Sequence, residues 1–313
     1  MTASAALLAF AAVVAVVAPV LLRRAGWLEF SPRVGILLWQ LATVSALVSF
    51  VTGAATLCLT LWSQATPAVF LRTCIALLGE GDVDSPMMLI GSAGVAAAAA
   101  AGLRLAYCAG RTALGIRRER SRQRRCLALL AHSDAAWPDA VVIDHPEATA
   151  FCLPGLRGGT VVLSTGTLTR LTPAEVHAVL AHERAHLRGR HDLVVWAARS
   201  LHDAFPFVPL FRAGAEALPR LVEMAADDVA MRHAGRRVLA SALLRMTDAA
   251  TPAFALGVGG STITCRVRRL VQPRPAGRLR GAAAVGGGLL LVGAPMIAFA
   301  VALATGCQFV MSG

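Results

Sequence analysis

Lysine is absent from the 313 residues, and all 30 basic side chains are arginine. No serine-x-x-lysine nucleophile can therefore exist, and the bias is that of GC-rich coding rather than of a function. Cysteine numbers seven, an odd count, and no C-x-x-C pair occurs. Zinc fingers, thiol redox chemistry and a disulfide framework are poor readings on that ground. A cysteine nucleophile, Cys152 working with a histidine, is a minor alternative. Aromatic residues make up 5% of the chain, with Tyr107 the single tyrosine. Arg117–Arg125 holds six arginines and one glutamate with no aromatic among them. It reads as a membrane-adjacent basic segment meeting anionic lipid, not as a direct nucleic-acid surface. The run Arg266, Arg268, Arg269, Arg274, Arg278 and Arg280 reads the same way.

Charged residues are only 15% of the chain and apolar ones 56%, which points to a membrane protein. Four stretches are long and apolar enough to span a bilayer: about Ser4–Leu22, Val34–Trp62, Met87–Ala109 and Ala282–Ala304. The first lacks a basic leading segment and is followed by Arg23 and Arg24, as an uncleaved anchor would be. Arginine bias sets the orientation. Arg23, Arg24 and Arg33 mark the first loop as cytoplasmic. The loop at about 63–86 carries Arg72 against Glu80, Asp82 and Asp84 and reads as outside. Segment 110–280 holds 25 arginines and 14 acids, and should be cytoplasmic. Both termini then lie outside. The expected layout is a three-helix membrane region (1–109), a cytoplasmic domain (110–280), and a fourth span with a short outside tail (281–313).

Within the cytoplasmic segment lies His182-Glu183-Arg184-Ala185-His186, an H-E-x-x-H motif. Thr172 can cap a helix, Pro173 suits its first position, and Glu175 completes a capping box. Val176, Val179, Leu180 and Leu187 recur at helical spacing, and Gly189 is placed as the stop. Residues four apart share a helix face. His182 and His186 can thus direct two imidazoles at one ion, with Glu183 beside them to act on water there. Thirty-seven residues after His186, Glu223-Met224-Ala225-Ala226-Asp227 offers a carboxylate one turn before a second acid. His182, His186 and Glu223 make a three-ligand set that leaves a position open, as catalytic zinc requires, and Asp227 is placed to orient a ligand histidine.

Three β-like runs precede the motif: Ala140–Asp144, Thr149–Leu153 and Thr160–Ser164. Thr160–Ser164 is the candidate edge strand for holding an extended substrate by main-chain hydrogen bonds. Helices are expected at Asp192–Ala204, at Glu216–Ala234 with an early break at Pro219, and at Val238–Ala250. The Pro-broken run Phe205–Phe211 either dips into the interface or is a plain loop. Thr251–Gly260 reads as a flexible loop. The remaining histidines read as surface or packing residues, with His202 and His233 able to assist at the site.

Through His182-Glu183-x-x-His186 and Glu223-x-x-x-Asp227 the sequence resembles the gluzincin metallopeptidases. Its membrane framework looks like the M56 family, the BlaR1/MecR1-type signal transducers. The resemblance implies a mostly α membrane protein with four transmembrane helices. It places a cytoplasmic α+β minigluzincin-like zinc peptidase domain between helices 3 and 4. It implies one Zn2+ per chain on His182, His186 and Glu223, Glu183 as general base, and Asp227 behind a ligand. His233 or an arginine would support the oxyanion, since Tyr107 lies inside the third span. The implied substrate is a cytosolic protein, a DNA-binding transcriptional repressor, and homo-oligomers are compatible with it. The penicillin-binding sensor of that family is missing, so covalent β-lactam binding is not expected. Two alternatives remain at this point: a processing or quality-control protease resembling the M48 family, and a non-enzymatic receptor with structural zinc.

Overall fold

The long apolar runs fold as helices, which satisfy every backbone N–H and C=O internally. In the computed structural model, which describes residues 2–64, 86–155, 158–247, 259–272 and 278–311, α1 spans Thr2–Arg24 and α2 spans Pro32–Gln64. A short 3-10 turn, Gly26–Phe30, joins them. Among the described residues, these two helices are long and apolar enough to cross a membrane. The other two expected spans fall on longer helices. The third is the first part of α3 (Pro86–Leu130), which runs without a break through the expected boundary at 109. The fourth lies in α10 (Arg278–Met311), whose apolar core is Gly281–Ile297. Four spans are therefore not established. Of the expected outside loop at about 63–86, residues 65–85 lie outside the described residues.

Four strands follow α3: β1 (Ala131–Ser133), β2 (Ala140–Ile143), β3 (Ala150–Gly155) and β4 (Gly158–Ser164). Their order is β1-β2-β4-β3, with β2 and β4 parallel and the other pairs antiparallel. The expectation that Thr160–Ser164 is an edge strand is wrong. The β3–β4 hairpin folds so that β4 lies inside, hydrogen-bonded on both sides, and β3 is the edge. The central position suits its sequence, since Val161, Val162 and Leu163 are all buried and a strand covered on both faces reads as an unbroken apolar run.

Next come α4 (Thr165–Arg170), α5 (Pro173–Gly189), α6 (His191–Ala204), α7 (Pro209–Ala234), α8 (Arg236–Thr247) and α9 (Gly259–Val271). Pro219 does not break α7, which begins at Pro209 and runs through it. Residues 251–258 of the expected flexible loop lie outside the described residues. The helix α5 packs Val176, Val179 and Leu180 against Val161 and Leu163 of the sheet. At Gly159 a Cβ would lie 2.4 Å from Leu187 and 2.7 Å from the Leu153 carbonyl, so only glycine lets α5 sit this close to the hairpin.

The segment carrying the H-E-x-x-H motif does not stand apart from the N-terminal helices. Helix α7 packs along α1 and α2, and α6 joins the same core. Trp39, Ala42 and Ala46 of α2 meet Ala198 of α6 and Leu210, Phe211 and Ala213 of α7 there. Phe205, just after α6, joins this core, while Phe207 stays exposed. Arg104 of α3 donates to the Ala204 carbonyl at 2.5 Å. Two arginines of the basic run also bond within the chain, Arg120 to Asp192 at 3.0 Å and Arg124 to the Pro154 carbonyl at 2.6 Å.

Candidate metal centre

The helix α5 begins as its sequence predicts. Thr172 caps it, with the Thr172 side chain and Glu175 completing a reciprocal capping box. It ends at Gly189, and the left-handed residue beyond is Arg190 (φ 47°). That sharp turn lets α6 start at once and places His191 against the metal-facing side of α5.

Along α5, His182 and His186 project from one face, and α7 crosses to bring Glu223 opposite them. The two Nε2 atoms are 3.1 Å apart. Glu223 lies 3.4 Å from each, by Oε2 to His182 and Oε1 to His186. Zinc bonded at about 2.0–2.1 Å in a tetrahedron sets its ligand atoms about 3.4 Å from one another. Two imidazoles and a carboxylate converge here at that spacing, so the donor set fits the ion in both size and chemistry.

Behind the cluster stand two more charges. Asp227, fully buried, sits 3.1 Å from His182 Nδ1, close but out of line for a hydrogen bond. Arg266 of α9, only 8% exposed, grips Asp227 at both carboxylate oxygens, by Nε at 2.7 Å and Nη2 at 2.6 Å. Its Nη1 lies 3.1 Å from Glu223 Oε2. On the far side, His191 Nδ1 approaches His186 Nδ1 at 3.1 Å.

These contacts set the protonation preferences. Burial alone would depress His182, but Asp227 and Glu223 outweigh it and raise its pKa to about 9. Burial, with His182 and His191 nearby, pulls His186 down to about 4 despite Glu223. Burial works to raise Glu223 and Asp227, yet both fall to about 2: His182 and Arg266 overcome it at Glu223, Arg266 and then His182 at Asp227. The site thus holds two firm carboxylates. Burial pushes Glu183 the other way, above the ordinary carboxylate range, which suits a group that must accept and return a proton. Glu183 meets Cys152 of β3. Burial and the nearby Glu183 charge push that thiol up to about 12, so it is inert as a nucleophile.

The expected site residues part into two groups. His182, His186, Glu223, Glu183 and Asp227 come together. His233 is exposed on the last turn of α7 and lines a separate cavity with Arg33 and Arg188. Sequence reasoning missed Arg266, which looked like one more member of a membrane-adjacent basic run. It also missed His191, five residues after His186, whose position follows only from the tight turn at Arg190.

A His-His-carboxylate cluster of zinc dimensions, with a partly buried glutamate beside it on an H-E-x-x-H helix, is the donor set of a metallopeptidase-type zinc site. Comparison with known proteins narrows the class. Residues 117–283 match the model described as Peptidase family M48, and the chain belongs to that family. The M56 resemblance is thereby corrected: the zinc motifs are common to both families, and the membrane framework that suggested M56 does not separate them. Curated proteins named "Protease HtpX homolog" from Neisseria meningitidis serogroup B and Neisseria gonorrhoeae are 41% identical over 58 residues. That match covers 18% of this chain and 20% of each relative, so the chain spans about a fifth of the length of those relatives. No solved structure matches.

Proposed function

We propose that this protein is a membrane-embedded zinc endopeptidase of the processing or quality-control kind, with His182, His186 and Glu223 as zinc ligands and Glu183 as general base. The observation that carries the proposal is the convergence of the three ligand atoms at 3.1–3.4 Å with Glu183 adjoining. Zinc in this position supplies Lewis acidity, making water acidic near neutral pH and polarising a peptide carbonyl. Glu183 takes the proton from the attacking water and delivers it to the leaving amine. Asp227 and Arg266 hold His182 in orientation, with Nδ1 toward the carboxylate and Nε2 free for the metal. An extended substrate pairs with the edge of β3 at Ala150–Leu153, beside Glu183, since a strand edge offers N–H and C=O groups for pairing, while Arg124 and Arg190 take the carbonyls of Pro154 and Gly155.

Membrane embedding is supported by the apolar α1 and α2 and by α7 packed on them. Arginine bias supports a cytoplasmic peptidase region with the N-terminus outside, and the protein substrate is then cytosolic or presented at that face. A repressor substrate came with the M56 resemblance and has no other support. The test is cleavage, in detergent, of an unfolded protein substrate by wild type and Glu183→Gln prepared identically. Wild type is expected to produce fragments and Glu183→Gln none. Equal cleavage by both would remove Glu183 from the chemistry.

A further inference from the structure

We infer that a second site, distinct from the zinc cluster, binds a phosphate group where α2 meets the peptidase helices. A cavity of about 630 Å3 lies between the start of α2 and the C-terminal ends of α5 and α7. Each of the three helices contributes one arginine to its lining: Arg33, Arg188 and Arg232. Among the described residues, no aspartate or glutamate lines it. Among the described residues none of the three has a carboxylate within ion-pair distance. Asp228, whose carboxyl feels Arg232, is itself bonded to Arg269. The contrast with Arg120, Arg184, Arg266 and Arg269, all paired to acids, is direct.

Like charges around one cavity repel one another, and a multivalent anion placed among them converts the repulsion into charge-assisted hydrogen bonds. Phosphate fits, since guanidinium forks match its oxygens. His191 and His233 also line the cavity and bring further polar ring nitrogens. The wall is not wholly polar: Ile36, Val194 and Val229 contribute apolar surface. Ile36 belongs to the apolar helix segment Pro32–Leu57. A phosphate carrying an apolar tail, as in an acidic phospholipid, therefore meets both halves of the lining, and a free phosphate meets the charged half. None of His182, Glu183, His186 or Glu223 lines the cavity, though Ala185 and Ala225 beside them do, and His191 of the lining contacts His186.

The test uses the full chain in detergent at fixed ionic strength, read by thermal unfolding against dihexanoyl phosphatidylglycerol, dihexanoyl phosphatidylcholine and inorganic phosphate. A saturable rise in Tm with the acidic phospholipid alone identifies a headgroup site. An equal rise with inorganic phosphate identifies a free-phosphate site. In either case Arg33→Gln/Arg188→Gln/Arg232→Gln is expected to weaken the effect by about tenfold or more, since each basic residue contributes appreciably to holding such an anion. Removing three exposed arginines that do not line the cavity, Arg199→Gln/Arg212→Gln/Arg237→Gln, is expected to leave it unchanged. Should the pocket triple variant not fold, each of its single substitutions is expected to weaken binding about threefold. The inference is overturned if the two triple variants lose binding equally, if the pocket variant binds as wild type, or if phosphatidylcholine acts like phosphatidylglycerol. Only the lipid arm rests on the membrane reading. Zinc content and cleavage of the pocket variant are expected to match wild type, so failure here leaves the protease proposal standing.

Discussion

Arg266 and Glu183 make opposite demands on the same cluster, and their variants should fail in opposite ways. Arg266 neutralises the fully buried Asp227 carboxylate and the partly exposed Glu223 carboxylate at once. Removing one partner of a buried pair strands the other charge and costs about 3–5 kcal/mol. Arg266→Gln is therefore expected to lower Tm and to weaken zinc binding about 10–100-fold, the usual effect of losing the group behind a ligand, as zinc titration will show. A variant that kept wild-type zinc affinity would detach Arg266 from the site. The zinc motif itself was legible because a four-residue helical spacing is local and needs no tertiary knowledge. Arg266 was not, because Asp227 lies 39 residues away and nothing in an arginine-rich run marks the one member that turns inward. His191 was hidden for a related reason. Its place depends on a left-handed turn at Arg190, where sequence favoured Gly189 as the stop.

At the scale of the element, the start of α5 governs how firmly the zinc helix is held. Ser241 of α8 and Thr172 both bond the Glu175 carboxylate, and Arg245 stands 3.4 Å away. Burial pushes its pKa up, but these bonds win and hold it below 4.5. A carboxyl depressed in the folded state stabilises above its unfolded pKa, and that stability is lost as pH falls through the folded value. Glu175→Gln is accordingly expected to cost about 1 kcal/mol at neutral pH, with the gap from wild type closing once pH drops below about 4.5. Denaturant unfolding at pH 7 and at pH 3–4 measures it, and a gap that does not change with pH would contradict the assignment. The capping box was readable in T-P-A-E itself. The strand order was not, because alternation and apolar runs locate strands without saying which pair. The unbroken apolar run Val161–Leu163 was a signal for a central strand, and it points away from the edge role first given to Thr160–Ser164.

For the whole molecule, the largest consequence is that the peptidase segment and the N-terminal apolar helices share a core. Hydropathy showed the apolar runs but treated them as anchors separate from the enzyme. It could not show that α7, moderately polar in sequence, packs along α2 and that α6 joins the same core. Trp39 is 2% exposed at the centre of that contact. Trp39→Ala should cost about 3–5 kcal/mol, as large-to-small changes in a packed core do. Because α7 also carries Glu223, the variant is expected to release zinc at a lower temperature than wild type. Thermal unfolding followed in parallel by a zinc-sensitive dye checks this, and loss of stability with unchanged zinc release would mean that membrane packing and metal site are independent.

The most direct test of the central claim is the zinc-to-protein ratio and proteolysis measured on the same purified, detergent-solubilised material. Wild type is expected to hold about one zinc and to cleave an unfolded substrate. Glu183→Gln is expected to keep the zinc and lose cleavage, while His186→Ala and Glu223→Ala lose both. Full zinc occupancy in Glu223→Ala, or undiminished cleavage by Glu183→Gln, would contradict the account.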